Sequence, residues 1–116
     1  MVFKVYEIFN ILSALEKLIK QQTEYPISIA YKLYQLYLEL SQIESFIFER
    51  IEIVTGKNVN SIDINDKEYE IYQAILNSDI DITKFTKVSI DDIVNDNAKL
   101  TIKDISFLIN FINKAK

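Results

Sequence analysis

The only proline and the only glycine of this chain stand at Pro26 and Gly56, and the stretch between them is patterned for one continuous helix. Ile29, Leu33, Leu36, Leu40, Ile43, Ile47, Ile51 and Val54 recur at three- and four-residue intervals, the spacing that gathers side chains on one stripe of an α-helix. Pro26 lacks an amide hydrogen and is tolerated in a first turn, so a helix opens beside it. Gly56 suits the left-handed conformation that commonly closes a helix. A helix over about 27–55 is expected. At ~1.5 Å per residue it is about 42 Å long, against a diameter of roughly 35 Å for a compact globule of this size. It must bend or project.

The flanking segments read as shorter elements. Val5, Ile8, Leu12, Leu15 and Ile19, widened by Phe9, predict a helix over 5–21. The break from Gln21 to Pro26 is short, which favours an antiparallel hairpin. Lys57 to Asn65 is polar and reads as a loop. Asn65 followed by Glu68 resembles a helix start, the Asn side chain accepting an orphan amide and the Glu lying in the positive first turn. A helix over 66–77 follows, with Tyr69, Tyr72 and Leu76 on one side and Ile71 and Ile75 beside them. Ile80, Ile82 and Phe85 alternate with polar residues, so short strands near 80–83 and 87–90 are expected to pair. In a competing reading Ser89 and Asp92 open a single helical turn that ends near Asn95. Thr101 and Asp104 form a capping pair ahead of Ile102, Ile105, Ile109 and Ile112, which predict a helix over 102–115. The expected fold is mainly α: one domain, a small helical bundle around the long central helix, covered by the first and last helices. A minor two-stranded β element (α+β) lies in the second half.

Composition narrows the chemistry. A chain of 116 residues with 49% apolar and 26% charged residues can bury one modest core. It has no cysteine and no histidine, so disulfides, thiolate nucleophiles, Cys/His zinc sites and imidazole acid–base schemes all fall away. Net charge is −4 and Arg50 is the only guanidinium, which disfavours nucleic acid as a partner. The N-terminal residues lack the pattern of a secretory signal, and no run approaches ~18 uncharged apolar residues, so the chain reads as soluble and cytosolic, with no membrane partner. Its 21 isoleucines fit an AT-rich genome better than they fit a function.

The only candidates for a metal or acid–base site are Asp63, Asp66, Asp79, Asp81, Asp91, Asp92 and Asp96. Residues 63–67 resemble a calcium loop superficially, but the glycine needed for its sharp turn is missing and Lys67 stands where an oxygen ligand belongs. Caps and solvated loops account better for these acids. No serine or threonine lies in a glycine-flanked elbow, and a phosphate-binding loop would need more than one glycine. The expectation is therefore no catalytic residue, no metal and no cofactor.

What remains is a second stripe on the long helix. Ala30, Tyr34, Tyr37, Ser41 and Phe48, with Tyr31 nearby, follow the first stripe one residue later and widen the apolar surface well beyond ~100°. Either the flanking helices cover both stripes, or the tyrosines serve an interface, where a rigid ring with a polar tip brings large area at small entropic cost. Phe107 and Phe111 form a similar row on the last helix. Tyr31, Tyr34, Tyr37, Phe48, Phe107 and Phe111 are the candidate protein-interface residues.

Ser28-Ile29-Ala30-Tyr31-Lys32-Leu33, with Glu49-Arg50 ending a long helix, resembles a diffuse group of small uncharacterised helical proteins of tailed bacteriophages, including crAss-like gut phages. Residues 72–82 and 99–105 carry the same likeness, which covers most of the chain; the longer acidic, glycine-containing loop common in that group is contracted here to Gly56–Asn65. No catalytic residues come with the resemblance. It implies a phage origin and synthesis in a host cytoplasm and selects no role; the residues themselves point to a non-enzymatic one through protein–protein contacts. First comes a virion or assembly component, packing on phage structural proteins or on itself as a homo-oligomer. The alternative is a host-directed inhibitor, an anti-defence protein that docks its acids on a basic host surface. An unrecognised enzyme is the remote third.

Overall fold

The computed structural model describes residues 1–20, 25–82, 84–93 and 101–114. Strand β1 (Val2–Lys4) leads directly into helix α1 (Val5–Lys20), and helix α2 (Ile27–Thr55) follows. A 3-10 turn at Val59–Ser61, helix α3 (Glu68–Leu76), strand β2 (Asp79–Asp81), a one-turn helix α4 (Ile90–Ile93) and helix α5 (Ile102–Lys114) complete the order.

The long helix is continuous and its ends are those anticipated. The Pro26 carbonyl accepts from the amides of Ile29 and Ala30, both at 3.0 Å. Gly56 closes it in the left-handed region at φ 72°, its amide donating to the Glu52 carbonyl. The 29 residues of α2 span about 43 Å at ~1.5 Å each. The molecule measures 46 × 26 × 21 Å with a radius of gyration of 15.5 Å, so the helix sets the length of an elongated fold. No atom lies within 4 Å of a Cβ built at Gly56, so its requirement is conformational alone. Gly56→Ala is expected to cost about 1 kcal/mol through the left-handed backbone, seen as a shift of roughly 4 °C in the melting midpoint.

Packing follows from which helix is flanked twice. Val5 at the start of α1 shares a cluster with Ile47 and Ile51 near the end of α2, so these helices run antiparallel. Lys17 meets Asp104 and Glu7 meets Lys114, so α5 also runs antiparallel to α1. The last helix thus packs on α1, a correction to the expectation that it would help cover α2. Buried residues reflect this: seven along the 16 residues of α1, five along the 29 of α2. Leu15, Leu18, Leu33, Leu36, Leu40 and Leu108 form the centre of the main core.

Two local expectations are corrected. Strand β2 falls where a strand was expected, but its partner is β1 and not residues 87–90; Phe3 lies opposite Ile80 in an antiparallel pair. Residues 89–92 instead adopt the competing arrangement, the Ser89 amide donating to the Asp92 carboxylate and the Asp92 amide to the Ser89 hydroxyl; Asn95 lies outside the described residues. Asn65 does not cap α3. The turn before it is closed by Asp66, whose carboxylate accepts from the Asp63 amide at 3.0 Å. Among the described residues, no helix is long and apolar enough to cross a membrane.

Candidate protein interface

Because α5 stacks on α1, none of the described elements packs along the side of α2 that lies away from its buried face. The fully buried residues Leu33, Leu36, Leu40 and Ile51 mark its inner face. Directly opposite, Ile27, Tyr31, Tyr34 and Leu38 follow a 4-3-4 spacing and are exposed by 88%, 64%, 45% and 39%. Farther along the same side come Gln42, Ser45 and Glu49, all exposed. The N-terminal half of the outer face is therefore apolar and the C-terminal half polar and acidic, with Phe46 and Ile53 on its flank.

The anticipated interface residues separate into three environments. Tyr31 and Tyr34 lie on the open row. Tyr37 is half-buried against the main core and stacks on Tyr34, ring centroids 6.5 Å apart at 21°, so it braces Tyr34 from behind. Phe48 is exposed on one side and leans on Phe9 of α1 at 5.3 Å. Phe107 is half-buried in a shallow cleft with Tyr6 and Asn10, with the Lys103 ammonium 5.8 Å from its ring centroid. Phe111 belongs to the core: it is 2% exposed, stacks on Phe3 at 5.6 Å and meets Phe85 edge-on at 5.0 Å. Sequence spacing paired it with Phe107, but four residues along a helix turn the ring by ~40°, enough here to bring it under the β1 strand.

Ile27 and Leu38 were not among the residues anticipated. Their 4-3-4 spacing with Tyr31 and Tyr34 was visible, but the stripe read from the sequence ran through Ala30, Tyr37 and Ser41, all of which prove half-buried. The open row lies farther round the helix.

Several of the anticipated acids hold local structure. Asp79 pairs with Lys4 at 2.6 Å and Asp92 with Lys32 at 3.4 Å. Asp66 pairs with Lys57 at 3.1 Å, an ammonium it shares with Glu68. The Ser89 amide, aided by Lys32, holds the Asp92 carboxyl below its ordinary range against the opposing effect of burial. Asp96 lies outside the described residues. Among the described residues, no three Asp or Glu side chains converge as a metal site would require.

A cleft of about 770 Å³ opens between residues 84–91 and the end of α5, with an apolar floor that includes Phe85, Phe111 and Ile112 and with Lys84 and Lys87 among its lining. Its hydroxyl groups are committed to the fold: Thr86 donates both its amide and its hydroxyl to Glu39 on α2, and Ser89 caps α4. Comparison of the chain with protein-family models, with curated proteins and with solved structures finds no match.

Proposed function

We propose that the protein is a binding module that acts through protein–protein contact and not through catalysis, with the outer row of α2 as its contact surface. The observation that carries this reading is the row itself. Ile27, Tyr31, Tyr34 and Leu38 expose four large apolar side chains contiguously, in a fold that places nine large apolar side chains at under 2% exposure elsewhere. Singly exposed apolar residues are ordinary, whereas a contiguous patch marks a surface that another macromolecule covers. Covering it returns about 25 cal/mol for each Å² removed from water, and tyrosine is among the residues enriched at the anchors of such contacts. No carboxylate lies on α2 before Glu39, so the contact is led by apolar area and not by charge.

The resemblance to small phage proteins suggests the setting, a virion or assembly component made in a host cytoplasm, and that setting rests on the resemblance alone. The test is a comparison of the full chain with its Tyr31→Ala/Leu38→Ala variant, both tagged, in quantitative capture from phage particles and from host lysate. The variant is expected to melt within about 2–4 °C of the parent, as surface changes do. Retention of the genuine partner is expected to fall tenfold or more, the equivalent of ~1.4 kcal/mol. Equal retention by both forms would overturn the reading.

A further inference from the structure

We infer that the partner of this surface is a second copy of the same chain, joined by antiparallel packing of the N-terminal halves of two α2 helices about a two-fold axis between Tyr31 and Tyr34. The inference rests on the proposed use of this row as an interface and specifies what covers it.

The spacing of the row is its own mirror image. Reading 27, 31, 34, 38 forwards gives intervals of four, three and four, and reading it backwards gives the same. An antiparallel copy therefore sets Ile27 against Leu38 of its mate and Tyr31 against Tyr34, each contact occurring twice, as an isologous interface demands. All four side chains are exposed, and all four lie within a band of about 60° around the helix at ~100° per residue. Tyr34 is already held by its stack with Tyr37, so less side-chain freedom is lost when it is covered.

Charge selects both the partner and the direction. The chain carries −4 overall, and self-association must keep its acids apart. Between Ile27 and Leu38 the only charged residue is Lys32, whose ammonium is engaged by Asp92 at 3.4 Å. The carboxylates of α2 begin at Glu39 and continue through Glu44, Glu49 and Glu52. In the antiparallel arrangement the exposed Glu49 and Glu52 point away from their counterparts, the two Glu49 side chains lying about 50 Å apart along the helix at ~1.5 Å per residue, several times the ~8–10 Å screening length. A parallel pair would bring the exposed Glu49 and Glu52, which continue the row, beside their own copies at the ~8–10 Å spacing of packed helices. A basic partner would find no carboxylate on the row to pair with.

An overlap from Ile27 to Leu38 is about 18 Å long, short of the ~800 Å² per partner of a standard stable interface. The pair is accordingly a weak one, suited to contacts that repeat within an assembly.

Sedimentation equilibrium of the purified full chain from about 5 μM to 1 mM is expected to show the mass rising from 13.6 kDa toward twice that value, with Tyr31→Ala/Leu38→Ala monomeric throughout. The chain has no cysteine, so a nitroxide placed by Ser45→Cys reports geometry without altering the overlap. A label-to-label distance of about 40 Å supports the antiparallel pair, while one under about 20 Å overturns it in favour of a parallel one. A chain that stays monomeric to 1 mM also overturns self-pairing. That result leaves the binding-module reading to its own test, because variant-sensitive capture of a different protein would still stand.

Discussion

Phe111→Ala is expected to lower the melting midpoint by about 12–20 °C, the counterpart of a loss of about 3–5 kcal/mol for truncating a fully buried phenylalanine. The reason is its position in a three-ring cluster. Phe111 of α5 stacks on Phe3 of β1 at 5.6 Å and touches Phe85 at 5.0 Å, while Phe3 and Phe85 meet at 6.0 Å. These rings join three segments distant in sequence, so one truncation opens a cavity that none of them can close alone. Tyr31→Ala removes a ring of similar size from the outer row, where it is 64% exposed, and is expected to change stability by less than about 0.5 kcal/mol. Urea or thermal unfolding of the two variants side by side checks the division between core and interface. A Phe111→Ala protein within 1 kcal/mol of the parent would show that the aromatic cluster does not tie the fold together.

That division marks where sequence stopped being informative. The long helix was legible because three independent signals agreed on it: the apolar period, Pro26 at its entry and Gly56 at its exit. The Thr101–Asp104 cap was legible because capping is local, and the structure bears it out with the Asp104 amide donating to the Thr101 hydroxyl at 3.1 Å. What could not be read is which long-range partner each local element meets. Ile80 alternates with polar neighbours whether its partner is β1 or residues 87–90, and only tertiary packing placed Phe3 opposite it. Phe107 and Phe111 look equivalent along the last helix, yet packing on α1 leaves one half-buried and the other only 2% exposed. The outer row became identifiable only once α5 proved to pack on α1. Helical period alone cannot say which arc of a widely apolar helix is left open.

Asp104→Asn is expected to cost about 2 kcal/mol near neutral pH and progressively less as pH falls below the ordinary carboxyl value of 3.8. Asp104 is 5% exposed, and its Oδ2 accepts from Lys17 Nζ at 2.7 Å and from Thr101 Oγ1 at 2.9 Å. The Lys17 ammonium, then the Thr101 groups, hold its carboxyl below the ordinary 3.8 despite the opposing effect of burial. Hydrogen bonds to a charged group contribute about 1.5–3 kcal/mol. Lys17 is itself 47% exposed and can rehydrate when orphaned, which keeps the figure well under the 3–5 kcal/mol typical of breaking a fully buried pair. The sign follows from linkage. A carboxyl with a lowered folded pKa stabilises the protein fully above its ordinary value, and that contribution drains away as pH falls through the folded value. Glu7 adds to the acid sensitivity of parent and variant alike: burial raises its carboxyl, but the Lys4 amide and the Lys114 ammonium outweigh burial and lower it. Glu44 has the opposite sign, raised by burial and then by Glu16, and it too cancels in the comparison. The difference in melting midpoint between parent and Asp104→Asn, followed from pH 7 to pH 2.5, should therefore stay constant down to about pH 4 and narrow below it. A difference that persists undiminished at pH 2.5 would mean that the α1–α5 contact depends on the shape of this side chain and not on its charge.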